Sequence, residues 1–218
     1  MRIIDRPGSV QSNIVIGHAG VPRLVADHTA LEIVEHIYGG SFGCRLNTRL
    51  REEKGYTYGA GAGFDMRRGA GPFVARAAVN TEVTVPAILD MLGELDRIRD
   101  TDVEAAELGA ARDYLVGVFP LRFETAGAVV GAISGLAVHE LELDELVGYR
   151  GRIEAVDLGA VAEAARSHLH VDAAAIVLVG DADAFGDALE AAGLGSIVIE
   201  RDPTDAAADQ DGVIAEVG

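Results

Sequence analysis

The sequence predicts a globular domain that mixes strands with helices, and three observations predict it. Apolar residues fill 49% of its 218 positions, enough for one large core or two small ones. Strand signals lie near both ends, SNIVIG at 12–17 and AAIVLV at 174–179, where β-branched residues are bounded by turn formers. Between them, from about residue 84 to 168, the apolar period is that of helices.

Taken in order, the first strand follows the turn at Pro7 and Gly8, with Ile14 and Ile16 on one side and Asn13 and Val15 on the other. Gly20 and Pro22 interrupt it. Asp27 is placed to cap a helix whose inner face carries Ala30, Leu31, Val34, Ile37 and Tyr38, and Gly39 and Gly40 end that helix. A short basic helix follows, with Leu46 and Leu50 inward, Arg49 and Glu53 as an exposed i, i+4 pair, and Gly55 as the left-handed stop. From Tyr56 to Gly63 a strand of alternating glycine and alanine is expected, bare enough for another backbone to approach closely. Residues 66–72 make a turn, and 73–79 return as the second arm of an antiparallel hairpin.

The middle of the chain is helical. Residues 84–99 carry Val85, Ile88, Leu92 and Leu95 inward, and Thr101 with Glu104 has the spacing of a capping box for the next helix. That helix turns Leu108, Ala111, Leu115 and Val118 inward and ends or kinks at Pro120. Two more helices are expected at 125–141 and 144–155; Gly127, Gly131 and Gly135 recur every four residues on the first, a spacing that marks close helix packing. Asp157 caps a helix to about His168, and after the strand at 174–179 come a helix at 184–192 and a short strand at 196–199. One domain is expected over residues 1–202, with a disordered acidic tail at 203–218.

Charge and composition exclude several functions. A net charge of −17 leaves no basic field for phosphates, so nucleic acid is excluded as a partner. Cys44 is the single cysteine and cannot form an internal disulfide, which points to a reducing compartment. The charged N-terminus does not read as a signal peptide, and the longest apolar tract, 126–138, is diluted by glycine and too short to span a bilayer. A soluble, cytoplasmic protein without membrane contact is the expectation.

Three stretches hold groups that could carry chemistry. His28, Glu32, Glu35 and His36 share one face of the first helix, but inverted zinc-peptidase helices read H-x-x-E-H and this one reads E-x-x-E-H. The key ligand is absent, so the face is expected to be solvated and to hold no metal. The run Gly39-Gly40-Ser41-Phe42-Gly43 lacks both the dinucleotide register and a Walker lysine, and is expected to be a joint between helices. Cys44 has no histidine partner in sequence and reads as a small core residue.

Arg51 and Tyr58 form the remaining constellation, one leaving the last turn of the short helix and the other two residues into the expected strand. Type and spacing alone describe a helix arginine paired with a glutamate and a tyrosine packed in a hairpin. They also suit a grip on the carbonyls of an extended peptide, since a guanidinium offers a fixed fork of donors and a phenol one hydroxyl.

The segments QSNIVIGHAGVPR, IYGGSFGCRLNTRLREEKGYTYG, RIEAVDLGAVAEAARSHL and AAIVLVGD together resemble the pitrilysin-type zinc metallopeptidases that include the mitochondrial processing peptidases. More narrowly, they resemble the second, inactive domain of that family, which lacks the zinc motif. The specific part is GG-x-F-x-x-R-L-x-x-x-L-R-E-x-K-G-x-x-Y, and the likeness covers about residues 3 to 200.

The resemblance implies an α+β fold, a mainly antiparallel sheet with helices packed on one face, forming one half of a clamshell. It implies that the zinc helix and its glutamate base belong to another, homologous domain or subunit. The inactive half contributes an arginine and a tyrosine seven residues apart, here Arg51 and Tyr58, to bind the substrate backbone. By that resemblance the chain is the substrate-binding half of a zinc-dependent endopeptidase. It carries no cofactor of its own, acts on unfolded or extended peptide, and is not catalytic alone. The alternative it implies is a non-catalytic scaffold subunit of the same fold, as in respiratory complexes.

Overall fold

Alternate residues of the central strands are apolar on one side only, and that pattern builds a single sheet covered on one face. The computed structural model describes residues 1–101 and 103–201. Its strands are β1 (Arg2–Asp5), β2 (Gln11–Ala19), β3 (Ala60–Phe64), β4 (Pro72–Asn80), β5 (Ala175–Gly180) and β6 (Val198–Arg201), in the order β3-β4-β2-β5-β1-β6. On β2 the residues Ser12, Ile14, Ile16 and His18 are buried while Gln11 and Asn13 face out. Ile14 lies opposite Ala77 and Leu178, and Ile16 opposite Ala75 and Ile176, so three strands present one continuous apolar surface. Burying an isoleucine of this kind stabilises by ~1.5–3 kcal/mol.

The ladders β3/β4, β4/β2 and β2/β5 are antiparallel, and β1 pairs in parallel with both β5 and β6. The fold is thus the expected α+β class with a mainly antiparallel sheet. The hairpin of β3 and β4 forms as expected, but β3 begins only at Ala60. Residues 56–59 form the turn that leads into it, so Tyr58 precedes the strand.

Helix α1 (His28–Glu35) continues as a wider π turn, His36–Gly40, and α2 (Arg45–Asn47) continues likewise over Thr48–Glu53. The inner stripe of α1 is buried as its period requires, with Ile33 added to it. A Cβ on Gly39 would lie 2.4 Å from the backbone nitrogen of Ala62, so glycine here lets the helix touch β3. The bare strand therefore does serve close approach.

Helices α3 (Thr84–Asp100) and α4 (Ala105–Val118) follow. Val85, Ile88 and Leu95 of α3 are buried, and Leu92 is partly so. The capping box that starts α4 is Glu104 with Glu107 rather than Thr101 with Glu104, because Thr101 closes α3. Pro120 falls in the 3-10 turn Phe119–Phe123 that ends α4.

Helix α5 (Ala126–His139) is capped by the Thr125 hydroxyl. The expected close packing of its glycines does not occur among the described residues, since a Cβ on Gly131 or Gly135 would meet nothing within 4 Å. The next expected helix is broken at Gly148 into α6 (Asp144–Val147) and α7 (Tyr149–Ala155). Asp157 caps α8 (Leu158–His168) by accepting the Ala160 N–H at 2.8 Å, and α9 (Ala182–Ala191) precedes β6. Asp27, by contrast, makes no cap bond at α1 and pairs with His168 Nε2 at 2.8 Å. No single described helix is long and apolar enough to cross a membrane. The tail expected at 203–218 lies outside the described residues.

Candidate functional site

Arg51 and Tyr58 flank one anchored turn. The π geometry of Thr48–Glu53 ends where Gly55 takes a φ of 65°, a conformation that costs glycine nothing. The Gly55 N–H then donates to the Arg51 carbonyl at 3.1 Å and the Tyr56 N–H to that of Leu50 at 2.8 Å. Further along, the Thr57 hydroxyl donates to the Ala78 carbonyl at 2.7 Å and accepts from the Gly59 N–H at 3.1 Å. Asn47, itself buried, accepts the Ala60 N–H at 2.8 Å and donates to the Ser41 carbonyl at 3.2 Å. The helix end, the glycine-rich joint and the start of β3 are thereby tied together.

On this frame Tyr58 is 95% exposed, so it is not packed in the hairpin. Arg51 sits with its guanidinium carbon 4.2 Å from the centre of the Phe42 ring, a cation–π contact. Its Nη1 is 3.6 Å from a Glu52 carboxylate oxygen, and that nitrogen makes no hydrogen bond among the described residues. The arrangement offers a stacked guanidinium and an exposed phenol from two ends of a fixed turn. Phe42, over whose ring the arginine lies, was not singled out from the sequence; although it falls four residues before Leu46, the glycines around it marked the stretch as a joint between helices.

The polar face of α1 is not the solvated face that its sequence suggests. Burial pushes the Glu32 carboxyl up to about 7, against the lowering effect of Arg122 and Arg23, and its Oε2 has no hydrogen-bond partner among the described residues. Burial, helped by Arg23, takes His28 down to about 4. Helices α7 and α8 pack on α1, which a single helix's periodicity cannot reveal. Glu35 turns away to accept the Phe64 N–H at 3.0 Å, and His36 rests against Tyr114 with ring centres 4.6 Å apart.

These four residues do not fit a zinc ion. His28 and Glu32 approach only to 3.8 Å, Glu35 is committed to β3 and His36 to α4. Among the described residues no group of three or more His, Cys, Asp or Glu is placed to hold a metal. Cys44 is buried, and its sulfur accepts the Asn47 N–H at 3.5 Å as the cap of α2, a structural role.

The family model of the peptidase M16 inactive domain matches residues 1–115. Among solved structures, a peptidase M16 inactive domain from Pseudomonas fluorescens aligns with a TM-score of 0.76 and 26% identity, over 83% of this chain and 43% of that one. The inactive peptidase domain of a zinc-protease candidate from Bordetella parapertussis aligns at 0.66 and 16%, over 79% and 94%. A chain of complex III2 from Candida albicans aligns at 0.70 and 16%, over 86% and 46%. The last two are likenesses of fold alone. This chain therefore spans less than half the length of the Pseudomonas fluorescens protein. No curated protein matches it.

Proposed function

This chain belongs to the peptidase M16 family as its inactive domain, and we propose that it is the substrate-binding half of a zinc-dependent endopeptidase. Arg51 and Tyr58 grip the backbone of an extended peptide, and a homologous domain or subunit supplies the H-x-x-E-H zinc site. The observation that carries the reading is the 95% exposure of Tyr58 on a turn fixed by four hydrogen bonds to helix and sheet. An exposed tyrosine on a rigid turn is disposed for contact rather than packing. Beside it, one nitrogen of Arg51, Nη1, is itself buried and makes no hydrogen bond among the described residues. An extended peptide presents carbonyls at regular intervals, and two donors on separate elements can set its register without reading its side chains.

The splayed arrangement of His28, Glu32, Glu35 and His36 supports the division of labour, because the helix that would hold zinc in an active domain is packed here for other ends. The test is to mix the chain with a zinc-bearing partner domain and assay cleavage of unfolded peptides, with metal analysis of each component. Cleavage by the mixture and by neither part alone is the expected result. One zinc bound tightly by this chain, together with hydrolysis by this chain alone, would overturn the proposal. A stable, inert complex would favour the scaffold role instead.

A further inference from the structure

A cavity of about 530 Å³ opens between the glycine-rich joint, α2 and its extension, α3 and α4. That volume is in the range of small-ligand pockets. Ile37, Cys44 and Ala111 form an apolar floor, and the exposed rings of Phe42 and Tyr114 stand on its lining. Phe42 is also the ring beneath Arg51, so the cavity adjoins the candidate peptide grip.

The lining contains one unmet requirement. Arg45 is clamped by Glu107, with Nε on one carboxylate oxygen at 2.8 Å and Nη2 on the other at 2.7 Å. Its side chain is only 8% exposed, and its third nitrogen, Nη1, is buried without a hydrogen-bond partner among the described residues. A buried donor left unpaired is costly, and native structures rarely keep one without a reason. Because Glu107 already balances the charge, the acceptor that suits Nη1 is a neutral carbonyl rather than a second carboxylate.

We propose that this cavity is a side-chain subsite of the peptide track. A large apolar side chain, aromatic above all, enters between Phe42 and Tyr114, and a neighbouring carbonyl of the same peptide accepts a hydrogen bond from Arg45 Nη1. The inference rests on the peptide-binding reading of Arg51 and Tyr58, and gives that track the side-chain preference that a backbone grip lacks.

The experiment uses the full chain and two kinds of probe. N-acetyl-L-phenylalaninamide, titrated by NMR, should shift resonances of Phe42, Tyr114 and the Arg45 side chain, with N-acetyl-L-alaninamide at least tenfold weaker. Ala110 lines the cavity from an exposed position, so Ala110→Trp fills it without disturbing the core and should abolish the shifts. The double variant Arg51→Ala, Tyr58→Phe should bind a labelled pentapeptide more weakly than the native chain does. A labelled pentapeptide with a central phenylalanine should bind the native chain at least fivefold tighter than its alanine counterpart, and Ala110→Trp should level the two. Failure of the small probe to bind, equal binding by Ala110→Trp, or no advantage of phenylalanine in the peptide would each overturn the subsite. Small-probe binding that persists while peptide affinity ignores Arg51 and Tyr58 would instead locate the failure in the peptide-grip reading, and would overturn the subsite as part of that track.

Discussion

Asn47 Oδ1 accepts the backbone N–H of Ala60 at 2.8 Å, joining the buried core of α2 to the first residue of β3 across the turn that carries Tyr58. Substituting Asn47→Ala removes the acceptor of that N–H and one of the two donors to the Ser41 carbonyl, which keeps the Cys44 N–H. A loss of ~1–3 kcal/mol of stability is expected, measured by urea denaturation. Proteolysis between residues 55 and 60 should quicken in the same variant.

Glu32 and His28 give stability opposite dependences on pH. The carboxyl of Glu32 is raised from its ordinary value to about 7. Its contribution is therefore fully present below about 4.5 and is lost as pH rises through 7. His28 is lowered to about 4, so its contribution is present above about 6.5 and is lost as pH falls through 4. Glu32→Gln removes only the alkaline loss. Its stability relative to the native chain should rise between pH 5 and pH 8 by on the order of 2 kcal/mol. An equal difference at both pH values would show that Glu32 is not held neutral by burial.

Two glycine-to-alanine changes should have opposite signs. At Gly39 the new Cβ meets the Ala62 backbone, which cannot swing aside, and a loss of ~1–3 kcal/mol is expected. At Gly131, inside α5 and facing open space, alanine should add ~0.5–1 kcal/mol by helix propensity. Thermal unfolding of the two variants checks both.

Where side chains announce their neighbours, the sequence was legible. The alternation of Ile14 and Ile16 and the stripe of Leu31, Val34 and Ile37 each identify one buried face. Strand β1 was not legible, because its four residues acquire strand character only by pairing with residues 175–180 and 198–201. The start of β3 was misplaced because glycine and alanine carry no pattern, and because Thr57 engages the Ala78 carbonyl ahead of the ladder. The capping box was displaced by one turn because Glu104 has an acidic residue three positions on as well as a threonine three positions back. The polar face of α1 misled because what packs on a helix is decided by other elements, here α7 and α8. The Arg51 and Tyr58 pair was singled out by residue type and spacing and by its resemblance to a family motif. Phe42 and Arg45 lie within the same motif, and only the fold shows the ring under the one arginine and the unpaired nitrogen of the other.

The most direct test of the central claim is kcat/KM for an unfolded peptide in the complex reconstituted with a zinc-bearing partner. Arg51→Ala and Tyr58→Phe should each lower it roughly 10- to 100-fold, the ~1–3 kcal/mol of a lost or orphaned hydrogen bond. The zinc content of the complex and the melting temperature of this chain should stay unchanged. Full activity in the double variant would contradict the account.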